Sequence, residues 1–216
     1  EVLSKSGDKP LNSALVLGLG TGIVPTRLAN EGVDVDAVEL DETVLKIAEH
    51  EFGFDKSNTS IFIQDARTFV RNCPNTYDVV VIDLFHGDGI PEHVVSKEFF
   101  HDVKSCIREG GTMAMNAFYG TEDKRSKHAL IKTIASEFNV IALFEKANIK
   151  TPMTQGYVLA RNTNENWSFT IKVDEFNAQI QKRILPILQN WKSYNTKSVE
   201  LDNTTIITDE LNKWKL

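Results

Sequence analysis

Positions 13–19 read Ser-Ala-Leu-Val-Leu-Gly-Leu. A continuous apolar run closed by glycine suits a strand covered on both faces in a parallel sheet. Helical spacing follows over 23–30, with Ile23, Leu28 and Ala29 on one side, Pro25 in the first turn and Gly32 just past the end. The alternation continues with a strand over 34–40, a helix over 42–52 turning Val44, Leu45, Ala48 and Phe52 inward, a strand over 60–64 and a helix over 66–71. Residues 77–84 are rich in β-branched side chains and predict a central strand. Phe99, Phe100, Val103 and Ile107 recur at helical spacing over 97–108, closed by Gly110 and Gly111. A strand over 111–118, a helix over 122–138, and strands over 140–144 and 156–161 joined by a loop containing Pro152 complete the pattern. An amphipathic helix over about 174–191 carries Phe176, Ile180, Ile184, Leu188 and Trp191, with Pro186 expected to kink it. Trp167, Trp191 and Trp214 are expected to dock the final helices onto the sheet or a partner subunit.

Strands alternating with helices through short loops require right-handed crossovers. The predicted architecture is therefore a doubly wound, Rossmann-type α/β sheet of seven strands, mostly parallel, with an antiparallel edge pair and helices on both faces. A length of 216 residues suits one domain spanning 1–216.

Charge and cysteine content narrow the partners. A formal net charge of −6, with Lys and Arg scattered among acids, argues against nucleic acid and favours neutral or cationic substrates. No apolar run approaches the roughly 20 residues that span a bilayer, so no membrane segment is expected. Cys73 and Cys106 each lie in or beside an apolar helical stretch and read as buried free thiols, which implies a reducing, cytoplasmic location. The absence of a Met or a signal-like stretch at Glu1 reads as a trimmed or partial product.

In an open parallel sheet, ligands bind beyond the carboxyl ends of the strands. After the first strand, Gly18, Gly20 and Gly22 clear side chains from the turn Gly18-Leu19-Gly20-Thr21-Gly22, so that backbone can approach a ligand. Glu39 ends the second strand, where a carboxylate accepts both ribose hydroxyls, and Asp65 ends the third, where it accepts from an adenine amino group. A dinucleotide wants a third glycine or alanine three positions after the second, and Ile23 stands there. Asp83 closes the most apolar strand, and a carboxylate so placed needs a partner or a function. His86 and Asp88 follow in a glycine-containing loop, where a histidine beside two carboxylates titrates near neutrality. Glu92 and His93 are assigned to starting the next helix, and Tyr119 and Gln155 are candidates to wall an acceptor pocket. Tight Cys/His pairs that would hold zinc are missing, so no metal is expected.

The segments Ala14 to Gly22, Val38-Glu39-Leu40-Asp41, Gln64-Asp65-Ala66 and Tyr77 to Asp83 together resemble the spermidine synthase family over roughly residues 12–118. A weaker echo runs through Pro152 to Ala160 and Thr208-Asp209-Glu210. The loop from Asp83 to Pro91 is similar to that of spermidine-synthase-like proteins fused to membrane domains, and related protein methyltransferases share the first half. The resemblance implies S-adenosylmethionine, or its decarboxylated form, held by Gly18, Gly20, Thr21, Gly22, Glu39, Asp65 and Ala66, with Asp83 also at the donor. It further implies a small amine or polyamine acceptor met by Asp83, His86 and Asp88, and a dimer.

Two departures bear on the donor and the acceptor. Family members that transfer aminopropyl groups carry an Asp where this chain has Thr21, and a second acceptor-gripping Asp where it has His86. An Asp in the glycine turn repels the carboxylate of intact S-adenosylmethionine, at a cost of several kcal/mol for close like charges, whereas a threonine hydroxyl bonds it. The expected activity is therefore methyl transfer to an amine, with aminopropyl transfer or a non-catalytic nucleoside-binding module as the alternatives. Only about a dozen residues precede the first strand, so the family's small β-rich N-terminal domain is expected to be absent.

Overall fold

The computed structural model describes residues 5–6, 9–85, 89–120, 124–145, 153–163, 167, 177–189, 191–195 and 205–210. A short antiparallel ribbon of β1 (Lys5–Ser6) and β2 (Lys9–Pro10) precedes the main sheet. The chain then alternates as β3 (Ser13–Leu17), α1 (Ile23–Asn30), β4 (Asp34–Glu39), α2 (Glu42–Phe52), β5 (Thr59–Ile63), α3 (Ala66–Arg71) and β6 (Tyr77–Ile82). It continues as α4 (Lys97–Ser105), β7 (Ile107–Gly120), α5 (Lys124–Ala135), β8 (Val140–Glu145), β9 (Met153–Arg161), α6 (Ala178–Gln189) and β10 (Lys192–Asn195).

The sheet has eight strands in the order β10-β8-β9-β7-β6-β3-β4-β5. The block from β5 to β7 is parallel, whereas β9 runs antiparallel to both β7 and β8. Seven strands were expected. The eighth, β10, pairs antiparallel with β8 and takes the edge, so the antiparallel pair β8 and β9 lies inside it. Its four residues, Lys-Ser-Tyr-Asn, carry no apolar alternation by which the sequence could announce a strand.

Side-chain alternation splits the core in two. Leu15 and Leu17 of β3 face the layer that includes Phe69 of α3, Phe99 and Phe100 of α4 and Leu130 of α5. Ala14 and Val16 face the layer that includes Leu28 of α1, Leu45 of α2 and, through Leu188, α6. Every residue of β6 is buried, as its composition predicts. Two inward assignments fail, because Phe52 is 59% exposed at the end of α2 and Ile23 is 71% exposed at the start of α1. Both sit at helix termini, where the helix no longer lies over the sheet. The helix assigned to 97–108 stops at Ser105, and the chain enters β7 at Ile107 through a register shift opposite Tyr77 and Val79. Gly110, at φ 77°, belongs to that irregular entry rather than to a helix cap.

Cys73 and Cys106 are not free thiols. They form a disulfide with a Cα–Cα distance of 5.7 Å, joining the chain just after α3 to the C-cap of α4. The inference of a reducing, cytoplasmic location loses its premise. No helix among the described residues is long and apolar enough to cross a membrane.

Glu145, at the end of β8, accepts from the buried hydroxyl of Tyr119 and from Lys127, both at 2.7 Å. Tyr119 therefore serves the core rather than an acceptor pocket, and its hydroxyl would lie 2.5 Å from a Cβ at position 156, which is why glycine stands there. Burial alone would raise the Glu145 carboxyl, but the bonds from Lys127 and Tyr119 outweigh it and hold the group below the usual carboxylate range. A depressed folded-state value contributes stability that is present above the unfolded value and lost as pH falls through the folded one. Glu145→Gln is accordingly expected to cost roughly 1–2 kcal/mol at neutral pH. Thermal melts of the two proteins should converge as pH falls through that depressed folded-state value, where the native carboxylate also protonates.

Candidate active site

The parallel register lines up Val38, Leu17, Ile82 and Met115 across four strands. The row just beyond is Glu39, Gly18, Asp83 and Asn116, and the ladder continues into it through Gly18 N–H to Val38 O and Asp83 N–H to Leu17 O, both 2.8 Å. Leu17, Val38, Ile82 and Met115 belong to the layer of α3, α4 and α5. Alternation therefore sends the next row toward the opposite face, which α1 and α2 cover. Two carboxylates thus flank a glycine at the carboxyl ends of the central strands.

The three glycines of the turn do different work. A Cβ on Gly18 would lie 2.2 Å from the Asp83 carbonyl oxygen, and one on Gly22 would lie 2.4 Å from the Phe54 ring. Both adopt positive φ, so these two glycines are demanded by packing. Gly20, at φ 52°, has nothing within 4 Å of a Cβ and leaves the turn open to an approaching molecule. Gly22→Ala is expected to lower the melting temperature sharply. Gly20→Ala, in a backbone region that other residues reach for about 1–2 kcal/mol, should lower it far less, as paired melts would show.

Glu39 is half-buried and drawn back onto the turn. Its Oε2 accepts from the Leu19 N–H and its Oε1 from the Asp41 N–H, both at 3.1 Å. A carboxylate has about four acceptor sites, so each oxygen keeps one for a further donor. Asp65 caps α3, with Oδ1 accepting from the Thr68 N–H at 2.8 Å and the Thr68 hydroxyl at 3.0 Å. Its Oδ2 lies 3.2 Å from His93 Nε2. Burial pushes the Asp65 carboxyl up, but the Thr68 and His93 bonds prevail and hold it below the usual carboxylate range, ionised at neutral pH. Ala66, the first residue of α3, is buried beside it. Thr21 is half-buried in the turn.

Asp83 accepts at Oδ1 from Asn116 Nδ2, and Asn116 Oδ1 accepts from Gln155 Nε2, each at 2.9 Å. Tyr157 stands opposite Asn116 on β9, and burial first, then the Asp83 charge, pushes its hydroxyl up. Phe85 packs edge-on against Phe118, with ring centroids 5.1 Å apart. His86 and Asp88, expected to complete this corner, lie outside the described residues, as do Pro152, Phe176 and Trp214.

Three site neighbours escaped sequence reasoning. His93, assigned to starting a helix, occupies a short 3-10 turn before α4 and reaches Asp65. Arg67 is buried and binds the His93 carbonyl at 2.5 Å, the Ser96 hydroxyl at 3.0 Å and the Asp209 carboxylate. It thereby pins the turn and the segment 205–210 to α3. Asn116 left one trace, a polar side chain within the apolar alternation of β7.

The strand order and the glycine turn put the chain in the class of Rossmann-type transferase folds. Residues 4–177 match the spermine/spermidine synthase domain, and the chain belongs to that family. It is 32% identical over 148 residues to a polyamine aminopropyltransferase of Vibrio vulnificus, covering 66% of this chain and 47% of that protein. It is 36% identical over 141 residues to an N-terminal histidine N-methyltransferase of Emericella nidulans, covering 63% of this chain and 25% of that protein. The chain thus spans half or less of the length of these two relatives. A probable spermidine synthase from Corynebacterium glutamicum superposes with a TM-score of 0.71 at 16% identity, covering 95% of this chain and 75% of that one. Human methyltransferase-like protein 13 in complex with SAH gives a TM-score of 0.62 at 19% identity, covering 94% and 90%. At those identities the structures speak to the fold alone.

Proposed function

We propose that this chain binds an S-adenosyl-type nucleoside and transfers an alkyl group from it to an amine nitrogen. The observation that carries the reading is the row Glu39, Gly18, Asp83, in which one acid is tied to the open glycine turn and the other stands one strand away. The donor set fits the nucleoside. Glu39 keeps an acceptor site on each oxygen for the two sugar hydroxyls, Gly20 leaves room at the turn, and Asp65 offers an ionised carboxylate to an amino group of the base. When bound, the nucleoside supplies an electrophilic carbon on a sulfonium. Asp83 holds the acceptor amine and takes the proton that must leave before nitrogen attacks. Alignment supplies most of the rate.

The alkyl group has two candidates. Aminopropyl is favoured by relatives named polyamine aminopropyltransferase, from Vibrio vulnificus and Thermoplasma acidophilum among others. Methyl, the expectation from sequence, is favoured by Thr21, whose neutral hydroxyl tolerates a donor carboxylate, and by the likeness to the histidine N-methyltransferase. Calorimetric titration with S-adenosylmethionine and its decarboxylated form, alongside product mass spectrometry with a polyamine panel, separates the two. Preference for the decarboxylated donor establishes aminopropyl transfer, and preference for the intact donor establishes methyl transfer. Binding of neither sinks the whole proposal.

A further inference from the structure

Gln155 never touches Asp83, yet the two are joined by a chain of amides that can be ordered in only one direction. Asn116 Nδ2 donates to Asp83 Oδ1, and Gln155 Nε2 donates to Asn116 Oδ1, each at 2.9 Å. An Asn amide is pseudo-symmetric, so either end could face the carboxylate. Were it turned round, its carbonyl would meet the Asp83 oxygen and its NH2 would meet the Gln155 NH2, placing acceptor on acceptor and donor on donor. The acceptor-only carboxylate therefore sets the near amide, whose carbonyl in turn demands the donor end of Gln155. Strand register supplies the placement, because Asn116 follows Met115, the partner of Ile82 in β6, and Gln155 lies diagonally across β9 on the same face.

We infer that Asn116 and Gln155 form a one-way amide relay that occupies Oδ1 of Asp83 and leaves Oδ2 to meet the acceptor amine, which makes both of them positioning residues for transfer. This rests on the proposed amine alkyl transfer. The relay carries no acidic proton, so it orients Asp83 without offering a competing proton to it. Tyr157, which stands opposite Asn116 on β9 and whose hydroxyl is pushed up by burial and then by the Asp83 charge, stays protonated through the acid and neutral range.

The decisive variant is Gln155→Glu, which keeps shape and lies outside contact with Asp83. An ionised Glu cannot donate, so Asn116 then lies between two acceptors and its NH2 is no longer held on Asp83 alone. Near neutral pH kcat is expected to fall roughly 30- to 100-fold, with nucleoside affinity unchanged. Toward about pH 5 and below, a protonated Glu regains a donor, and the deficit relative to the parent protein should shrink. Gln155→Leu merely unlocks the relay and should show a smaller loss that does not depend on pH. If Gln155→Glu retains parental kcat, or loses activity no differently from Gln155→Leu at every pH, the relay is refuted. A readout independent of turnover is the Asn116 side-chain amide resonance, expected to be single and sharp in the parent protein and to shift or broaden in Gln155→Glu. A parent protein that transfers nothing to any amine overturns the proposed function. The relay then stands or falls on that resonance, and it is refuted if the resonance is the same in the parent protein and in Gln155→Glu.

Discussion

Asp83→Asn is expected to lower kcat by roughly 10²- to 10⁴-fold while leaving nucleoside affinity nearly intact. The substitution is close to isosteric. Its carbonyl can still accept from Asn116, so the corner should keep its shape, but the second oxygen becomes an NH2 that repels an amine donor and cannot take its proton. Donor affinity should survive because the sugar and base are assigned to Glu39 and Asp65, on different strands. Glu39→Gln supplies the reciprocal case, in which affinity for the nucleoside falls first. Single-turnover assays at saturating donor, paired with calorimetry, distinguish the two variants. Equal loss of binding in both would show that the row acts as one structural unit and not as two sites.

Reduction of the Cys73–Cys106 bridge is the second large effect. The bond closes a separation of 33 residues that contains β6, the segment bearing Asp83 and α4. Loop-closure entropy puts its contribution at about 2–4 kcal/mol, with strain and residual unfolded structure reducing the ideal value. For a chain of 216 residues that corresponds to a fall in melting temperature of roughly 5–12 °C. Melts with and without a membrane-permeant reductant should differ by this amount, and the double variant Cys73→Ala, Cys106→Ala should no longer respond to reductant at all. An identical melt of the untreated and reduced parent protein would mean that the bridge closes no entropy worth measuring. Because Asp65 caps α3 and Ser96, which Arg67 holds, caps α4, reduction is also expected to loosen the Asp65 end of the site before the turn at Gly20.

Much of the architecture was legible because buried parallel strands leave an unambiguous trace. The β-branched, mostly apolar β6 and the bounds of α1, α2 and α3 followed from composition and period alone. The places of Glu39 at the end of β4 and of Asp65 just past β5 were readable for the same reason, as strand ends. What escaped depended on distance in the fold. The disulfide joins two helix ends whose local patterns each suit a free thiol, and no local signal reports that α3 and α4 lie side by side. His93 and Arg67 act through contacts 28 and 26 residues away, at Asp65 and the His93 carbonyl. β10 was missed because an edge strand with water on one side needs little apolar surface.

The reversed strand divides the labour of the site. On the proposed function, the acids assigned to the donor stand at the carboxyl ends of parallel strands, whereas Gln155 and Tyr157 come from β9, the strand that runs the other way. Substitution of Tyr157 should on that reading retune which amine is accepted while sparing nucleoside affinity. The two sets of side chains would then be free to diversify at separate rates.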